Sequence, residues 1–546
     1  MQTIKKLIAR QILAAAEEAS PGAGLTEEEI VSALEYPPDP NMGDLAFPCF
    51  RLSRALRRSP VQIAAALAEK LGGGCIGSAR AVGGYLNFTI SGDYLGGTVV
   101  PEILAAGDRY GAQTFGEGKT VVLDYSSPNL AKPFHIGHLG TTVIGHSLRR
   151  LHEFAGYHCI GINYVGDWGT QFGKLIVAYR LWGSKEMIDQ RGVDALVDLY
   201  VRINNEIKGD PEHGVPGKPE LADAARAEFH KMETGDEESL AIWRWFVGIS
   251  LPECQKTYRQ LGIEFDSYLG ESFYTDKMPA QIEILRQKHL LKIDDGAGLV
   301  DLSEYNMPPC LILKRDGSTL YPARDIAAAV YRKEHYHFDK AIYVTSAQQC
   351  LHFAQWFKVV ELMGYPWYNE LVHVPYGTVS LNGEKLATRT GNVVLLRDLF
   401  ALAIEKVKAI MKEKNTGAEN IEETAEAVGV GAVVFYYLSN NRMKDINFVM
   451  EDALSFDGNT GPYVQYTYAR ACSVLSRADG KPDAGAPVRI TCEEEATLVK
   501  LLCRFGERVC AALDDYEPSY ITRFILDVAG ALNRFYHNCP ILLAED

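Results

Sequence analysis

The stretch SSPNLAKPFHIGHLGTT at residues 126–142 places two histidines three positions apart, directly after a run of mostly polar residues. It follows TVVLDY at 120–125, whose β-branched and apolar residues predict a buried strand. Apolar residues then recur at spacings of three and four from Gly137 to Phe154, which predicts a helix, and YHCIGINYV at 157–165 predicts a second strand. This order of strand, loop, helix and strand is typical of an open α/β sheet, in which ligands bind where the loop meets the helix.

The loop carries side chains that suit phosphate. His135 and His138 can donate hydrogen bonds to phosphate oxygens whose charge grows during displacement at phosphorus, and Lys132 adds a cation beside them. Gly137 lets a flat ring approach the backbone, which a side chain at that position would block. The alternative is an ordinary polar loop that caps the following helix, and the loop alone does not decide between the two.

Composition narrows the class of protein. A chain of 546 residues is too long for one core and predicts about three or four domains. Its 47% hydrophobic and 23% charged residues are typical of a soluble globular protein. The net charge of −15 argues against a uniformly basic coat for nucleic acid, although it leaves room for a local basic track. The eleven cysteines show no CxxC pair and no zinc spacing, so we expect neither a structural disulfide nor a structural metal.

The sequence also lacks the patterns of a secreted or membrane protein. The amphipathic N-terminus runs into two glutamates, unlike a secretory signal. The longest nearly apolar run, at 428–438, is too short to cross a bilayer. We therefore expect a cytoplasmic protein with no membrane partner.

The loop and its surroundings resemble a known family. HIGH in this setting is similar to the signature of class I aminoacyl-tRNA synthetases, and the extended block with NYVGDWGTQFGKL at 163–175 resembles arginyl-tRNA synthetases. The resemblance implies an α/β, Rossmann-type parallel nucleotide-binding fold with an insertion, an α+β N-terminal domain and an all-α C-terminal anticodon-binding bundle. The implied domains are a tRNA-contacting domain at 1–110, the catalytic domain at 111–400 with its insertion at about 186–260, a stem-contacting helical segment at 401–454, and the bundle at 455–546.

The resemblance also implies a two-step reaction. The carboxylate of arginine attacks the α-phosphorus of ATP, which comes with Mg²⁺, and gives arginyl-adenylate and pyrophosphate. The adenylate then esterifies the 2′-hydroxyl of the terminal adenosine of tRNA(Arg). The implied protein is a ligase whose partners are L-arginine, ATP and tRNA(Arg). Arginyl enzymes usually need tRNA before they activate the amino acid, and they are often monomers, so we expect both properties here.

A second class I motif, the lysine-bearing KMSKS loop, corresponds to GEKLATRTGNVVLLRDLF at 383–400. Lys385 matches its first lysine, whereas Thr388 stands at the second lysine position. Arginyl enzymes often lack that lysine, and Lys132 is placed to substitute for it. On its own, KLATR could be a charged surface loop. The resemblance assigns catalysis to His135, His138, Lys132 and Lys385, and ATP binding to Gly137, Gly140, Lys385 and Thr388.

The guanidinium of an arginine substrate requires carboxylates in bidentate geometry. Tyr321 and Asp325 are four positions apart at the start of a predicted helix, and the family's guanidinium-binding Tyr and Asp have this spacing. The resemblance adds Glu271 from YLGESFY, Asn129 for the amino or carboxylate end of the substrate, and Gln349 near substrate. Without the resemblance, Asp325 is first of all an acid that complements a helix dipole, and Gln349 belongs to a polar helix start.

The segment FDGNTGPYVQYTYARACSVLSRA at 456–478 resembles the opening of the family's anticodon-binding bundle. Its Tyr463, Gln465, Tyr468 and Arg470 supply rings, an amide and a cation suited to splayed-out bases, although such aromatics also pack helical bundles. Family members normally continue for a few tens of residues past NCPIL. The end at Asp546 therefore predicts a bundle that is shortened here, either because the chain has been trimmed or because the protein lacks the final helix.

Three other functions fit parts of the pattern. A class I synthetase for another amino acid would lack the set of Tyr321, Asp325 and Glu271. A nucleotidyltransferase that ignores tRNA would lack the flanking domains. A catalytically silent tRNA-binding protein is supported only by Thr388, and the intact HIGH weighs against it.

Overall fold

The computed structural model describes residues 1–21, 24–130, 132, 134–210, 213, 215–381, 384–385, 394–414, 420–478 and 486–542. The chain divides into two compact units. The first comprises Met1–Gln113, Val464–Asp515 and Tyr520–Asp546, and the second comprises Thr114–Tyr463 and Tyr516–Ser519. Within the described ranges, no helix is both long enough and apolar enough to cross a bilayer.

The N-terminal part of the first unit combines a small sheet with helices. Its strands are β1 (Leu45–Pro48), β2 (Ile76–Val82) and β3 (Tyr85–Ile90), which pair antiparallel with β3 in the middle. Its helices are α1 (Gln2–Ala19), α2 (Glu27–Ala33), α3 (Ser53–Leu56), α4 (Pro60–Lys70), α5 (Gly92–Tyr94) and α6 (Val100–Ala106). Capping boxes that begin at Thr26 and Ser59 fix the starts of α2 and α4.

The strands of the second unit form a parallel sheet and two small ones. They are β4 (Thr120–Asp124), β5 (His158–Ile162), β6 (Leu291–Asp294), β7 (Ala297–Val300), β8 (Cys310–Leu313), β9 (Lys340–Ser346), β10 (Leu371–Tyr376), β11 (Val379–Leu381), β12 (Glu384–Lys385) and β13 (Ile446–Phe448). The parallel sheet has the order β10-β9-β4-β5. The small sheets have the orders β6-β7-β8 and β12-β11-β13.

Helices follow or separate these strands. In the second unit they are α7 (Leu139–Phe154), α8 (Thr170–Trp182), α9 (Lys185–Arg191), α10 (Val193–Lys208), α11 (Pro219–Glu233), α12 (Glu237–Gln260), α13 (Met278–Gln287), α14 (Tyr321–Tyr336), α15 (Cys350–Leu362), α16 (Leu396–Lys414), α17 (Ile421–Leu438) and α18 (Met450–Ala453). The C-terminal helices are α19 (Gly461–Arg477), α20 (Glu493–Cys503), α21 (Phe505–Asp514) and α22 (Ser519–Asn538).

The parallel sheet is buried on both faces. Val121 and Leu123 of β4 belong to one hydrophobic cluster, together with Val143 of α7. Val122, between them, belongs to a second cluster with Trp356 of α15. Because successive side chains of a strand point to opposite faces, the continuous apolar run of β4 serves two cores, as in other parallel sheets.

Both ends of the chain meet in the first unit. Lys500 of α20 forms an ion pair with Asp44 at 2.9 Å, and the Tyr36 hydroxyl donates to the Glu507 carboxylate. Val499 and Cys503 share a hydrophobic cluster with residues of α1, α4 and the three strands. The N-terminal sheet and the C-terminal helices therefore build one core together.

The structure confirms the predicted strand, loop, helix and strand as β4, α7 and β5. Residues 136–138 form a short 3-10 turn, so α7 itself begins at Leu139, slightly after the predicted start. The parallel α/β fold class, with an α+β N-terminal part and a helical C-terminal part, is also confirmed.

Candidate active site

A cavity of about 560 Å³ lies at the carboxyl ends of β4 and β9, where the topology of an open parallel sheet places ligands. It collects eight of the residues that the sequence analysis singled out. These are Asn129, Lys132, His135, His138, Glu271, Tyr321, Asp325 and Gln349. Four chain segments that are far apart in sequence supply them.

A tight turn at the end of β4 starts the cavity wall. Ser126 and Ser127 both have left-handed backbone conformations, with φ of 69° and 45°. Such non-glycine residues need support from their surroundings. The Ser126 hydroxyl bonds with Thr142 at 2.8 Å and with Tyr258 at 2.7 Å, and the Ser127 hydroxyl donates to Asp124 at 2.8 Å. These bonds hold the turn that leads to Asn129.

The HIGH turn fixes the tautomers of both histidines. The Gly137 backbone N–H donates to His135 Nδ1 at 3.0 Å, and the His135 backbone N–H donates to His138 Nδ1 at 3.1 Å. Since each Nδ1 accepts, the proton of each neutral ring sits on Nε2. A side chain at Gly137 would collide with the His135 ring, 2.6 Å from the position of its Cβ. The backbone therefore prepares two Nε2–H donors.

Both histidines stay neutral near pH 7. Burial, and then the Lys132 cation, lower the pKa of His135 to about 4. Burial, followed by the neighbouring His135, lowers the pKa of His138 to about 3. The pair can donate hydrogen bonds to an anion while both rings are uncharged.

The later part of the second motif pairs with the HIGH turn. The Ile136 N–H donates to the Val394 carbonyl at 3.2 Å, and the Leu396 N–H donates to the Phe134 carbonyl at 3.0 Å. Lys385 belongs to β12 by its backbone, but its side chain and the whole of Thr388 lie outside the described residues. The roles predicted for these two residues stay predictions.

One ion pair and one carboxylate–imidazole contact form the acidic part of the cavity. Glu271 Oε2 accepts from Arg324 Nη1 at 2.7 Å, and both side chains are largely buried. Asp325 Oδ2 lies 2.7 Å from His352 Nε2. Burial raises the pKa of Glu271 to about 7, although Arg324 opposes that shift.

A buried carboxylate supports the GES element. Asp167 accepts from the Ser272 backbone N–H at 2.8 Å and from the Ser272 hydroxyl at 2.6 Å. A Cβ at Gly270 would lie 2.6 Å from the same carboxylate, so only glycine fits there. The GDWG and GES segments are thereby locked together, and Glu271 is held in place.

Comparisons with known proteins identify the family. Residues 99–450 match "tRNA synthetases class I (R), catalytic domain", residues 2–90 match "Arginyl tRNA synthetase N terminal domain", and residues 464–546 match "DALR anticodon binding domain". The arginine–tRNA ligase of Clostridioides difficile is 50% identical over 521 residues, which cover 95% of this chain and 91% of that protein. The arginine–tRNA ligase of Alkaliphilus metalliredigens is 48% identical over 525 residues, covering 96% and 91%. The chain belongs to the arginyl-tRNA synthetase family.

Solved structures of the family have the same fold. The Thermus thermophilus arginyl-tRNA synthetase superposes with a TM-score of 0.78 at 26% identity, over 97% of this chain and 91% of that one. The Plasmodium falciparum enzyme gives a TM-score of 0.77 at 23% identity, over 99% and 93%, which shows the shared fold.

The predicted tRNA-binding residues lie on α19, and the family's anticodon-binding match begins at residue 464, within this helix. Tyr468 is 73% exposed and Tyr466 is 54% exposed. Arg470 lies over the rings of Tyr466 and Tyr536, at 4.9 and 5.1 Å, and donates to Asn533 at 3.0 Å. Tyr463 and Gln465 are half-buried on the same helix. Helix α19 thus presents exposed tyrosine rings together with the Arg470 guanidinium, which Asn533 holds in place.

Gly140 has a packing role that the sequence analysis missed. A Cβ at Gly140 would lie 2.2 Å from the Tyr437 hydroxyl and 3.0 Å from the Tyr376 ring. Neither Gly137 nor Gly140 is among the residues that line the cavity. Their predicted contact with ATP stays a prediction.

Sequence reasoning also missed an ion pair in the wall of the cavity. Arg332 and Asp124 are almost fully buried and 2.8 Å apart. The Arg332 guanidinium lies over the rings of Tyr164 and Tyr343, at 5.1 and 5.6 Å. An acid at the end of a buried strand and an arginine inside an alanine-rich helix were the available signals, but nothing in the sequence pairs them.

Proposed function

We propose that the chain ligates L-arginine to tRNA(Arg) through an arginyl-adenylate made from ATP. The cavity carries this proposal, because it combines two imidazole donors and Lys132 with the carboxylates of Glu271 and Asp325. The donors suit phosphate and the carboxylates suit a guanidinium, so one space can hold both halves of the adenylate.

In the proposed first step, a carboxylate oxygen of arginine attacks the α-phosphorus of ATP. A new P–O bond forms, the bond to the β-phosphate breaks, and pyrophosphate leaves with the electron pair. His135 and His138 donate to the oxygens that gain charge, while Lys132 and Lys385 neutralise the phosphates. We place Gly137, Gly140 and Thr388 on the ATP side. Positioning and charge stabilisation suffice, so no protein nucleophile is needed.

The substrate arginine occupies the acidic part of the cavity. The bond from Arg324 uses Oε2 of Glu271, and His352 contacts Oδ2 of Asp325, which leaves the second oxygen of each carboxylate to accept from the guanidinium. Tyr321, whose side chain is 65% exposed at the start of α14, completes this end. Asn129 and Gln349 hold the amino and carboxylate end.

In the proposed second step, the 2′-hydroxyl of the terminal adenosine of tRNA attacks the carbonyl carbon of the adenylate. An ester bond forms and AMP leaves. The exposed rings of α19 and the Arg470 cation stack on anticodon bases, with Tyr463 and Gln465 contributing on the same helix. We assign tRNA contacts to the domain at 1–110 and to the helical segment at 401–454 as well.

Mg²⁺ enters with the nucleotide in this proposal and neutralises phosphate charge there. The carboxylates that line the cavity are Asp124, Glu271 and Asp325. Each already contacts a basic partner, Arg332, Arg324 or His352. The described part of the site therefore suits an ion carried by phosphate oxygens better than a protein-bound one.

We further propose a monomeric enzyme of the cytoplasm, where its tRNA substrate is used.

The test is charging of radioactive arginine onto bulk tRNA, with pyrophosphate exchange measured in parallel with and without tRNA. We expect charging, and exchange that depends on tRNA. Exchange without charging would mean that adenylation works but transfer to tRNA does not. The absence of both activities would overturn the proposal and favour a silent tRNA-binding protein.

A further inference from the structure

Two cysteines and a glutamate converge at one end of the C-terminal helices, in a place that the ligase reaction does not use. Cys492 is the residue before α20, and Cys539 directly follows α22. Their Sγ atoms are 3.4 Å apart, although the residues are 47 positions apart in the chain. Both are free thiols and half-buried. A carboxylate oxygen of Glu494 joins them, and the three ligand atoms lie within 4.8 Å of one another.

The surrounding bonds hold each of these groups in place. The Cys492 sulfur accepts from the Glu495 backbone N–H. Asn538 Nδ2 donates to Glu494 Oε1 at 2.8 Å, which orients the carboxylate beside the thiols. Glu495 is engaged differently, because its carboxylate accepts from the backbone N–H groups of Thr491 and Cys492, at 2.6 and 3.2 Å. Of these two acids, Glu494 is therefore the one whose carboxylate can bind a ligand beside the two thiols.

We propose that Cys492, Cys539 and Glu494 bind a soft divalent cation of the zinc class, with water as the fourth ligand. Thiolates select such cations over Mg²⁺ or Ca²⁺. Two thiolates on one tetrahedral zinc, each about 2.3 Å from it, lie about 3.8 Å apart. The observed 3.4 Å is close to that spacing and far from the roughly 2.05 Å of a disulfide. Binding releases both thiol protons to solvent.

The acidic first turn of α20 compensates for the unfavourable interaction between a cation and a helix N-terminus. A helix N-terminus disfavours a cation, but Glu493, Glu494 and Glu495 supply three negative charges there. The bound cation would join the start of α20 to the end of α22. It would stabilise the helical bundle and leave the adenylation cavity alone, since that cavity belongs to the other unit.

The experiment uses the full chain, purified with a reducing agent, treated with chelator and titrated with Co²⁺. We expect one equivalent to give the near-ultraviolet charge-transfer band of cobalt thiolate, which Zn²⁺ then removes. Cys492→Ser and Cys539→Ser should lose the band. Glu494→Gln should weaken Co²⁺ binding by at least about tenfold, because even outer-shell losses at metal sites cost about 10–100-fold. Cys472→Ser, which removes an exposed thiol from α19, should keep the band.

A second measurement covers the case in which a serine variant does not fold. In the unchanged protein, Zn²⁺ should protect Cys492 and Cys539, but not Cys472, from alkylation, as read by peptide mass spectrometry. The proposal is overturned if no band and no protection occur, or if Cys492→Ser retains the band. A Cys492–Cys539 disulfide in protein that binds no cobalt would overturn it equally.

Discussion

Around the HIGH turn, His135 and His138 are kept neutral and their Nδ1 atoms are satisfied by backbone N–H groups. In the acidic part of the same cavity, Glu271 and Asp325 face basic partners from α14 and α15. The first region is local in sequence, and both of its imidazoles are neutral near pH 7. The second is assembled from distant segments and already holds opposite charges. In the proposed function, phosphate would therefore meet neutral N–H donors that the backbone has already oriented, whereas the guanidinium would join an existing network of charges.

The largest expected effect comes from replacing Lys132, the cation beside the two histidines. Lys132→Ala should slow adenylate formation by about 10²- to 10³-fold, since loss of one donor to developing charge has that cost and Thr388 offers no second lysine. Lys132→Arg should recover part of the rate. Single-turnover formation of arginyl-adenylate measures the effect, with Lys185→Ala on the exposed α9 surface as the control. An unchanged rate in Lys132→Ala would show that Lys132 does not take the role of the lysine that is missing at position 388.

The charge network is tested next by Asp325→Asn. We expect the KM for arginine to rise roughly 10- to 100-fold, because a hydrogen bond to a charged group contributes about 1.5–3 kcal/mol, while the KM for ATP changes little. Asp276→Asn, an exposed neighbour of Lys277, serves as the matched control. Equal increases in both constants would show that Asp325 supports the fold of the cavity and does not select arginine.

The neutral histidines predict an acid effect on stability. The pKa of His138 is lowered to about 3 in the folded protein. Between that value and the ordinary value of about 6.5, the unfolded chain binds more protons, so this histidine makes stability fall as pH falls. The stability gap between wild type and His138→Asn should therefore shrink by on the order of 1–2 kcal/mol from pH 7 to pH 5. Denaturant unfolding at both pH values measures the gap, and a constant gap would mean that His138 titrates normally.

The smallest expected effect is a pH dependence that distinguishes the KM for arginine from the KM for ATP. Since the pKa of Glu271 is raised to about 7, this carboxyl gains its charge as pH rises from 6 to 8. The KM for arginine should fall over that range, by up to about tenfold or 1.4 kcal/mol. The histidines titrate near 4 and 3, so they add no such limb to the KM for ATP. Glu271→Gln should flatten the arginine profile, and a sloped profile in that variant would assign the titration elsewhere.

Local patterns predicted much of this molecule. The strand β4, the HIGH turn and α7 followed from apolar periodicity and a polar loop, because each is determined within about 35 consecutive residues. Tyr321 and Asp325 also fell at a helix start, as the spacing indicated. The resemblance then placed Glu271 and Gln349 in the same site, which no periodicity could have done.

The rest depended on contacts between distant segments. Arg332 contacts Asp124, and Arg324 contacts Glu271, although the partners are far apart in sequence. The cysteine pair shows the same limit, because a search for short spacings finds no partner for Cys492. Spacing rules recognise ligands that lie on one hairpin or helix. Cys492, Glu494 and Cys539 instead come from the start of one helix and the end of another.

The shared core of the first unit has a consequence for biosynthesis. The amino group of Met1 donates to the carbonyl of Cys503, 502 positions later. At about 5–20 residues per second, a ribosome needs roughly 25 to 100 s to travel that distance. During this time the emerging N-terminal sheet lacks the apolar cover of Val499 and Cys503, while the second unit can finish folding. The first unit can therefore be completed only after Val499 and Cys503 have been synthesised, and a nascent chain stalled before them would display the uncovered face to chaperones.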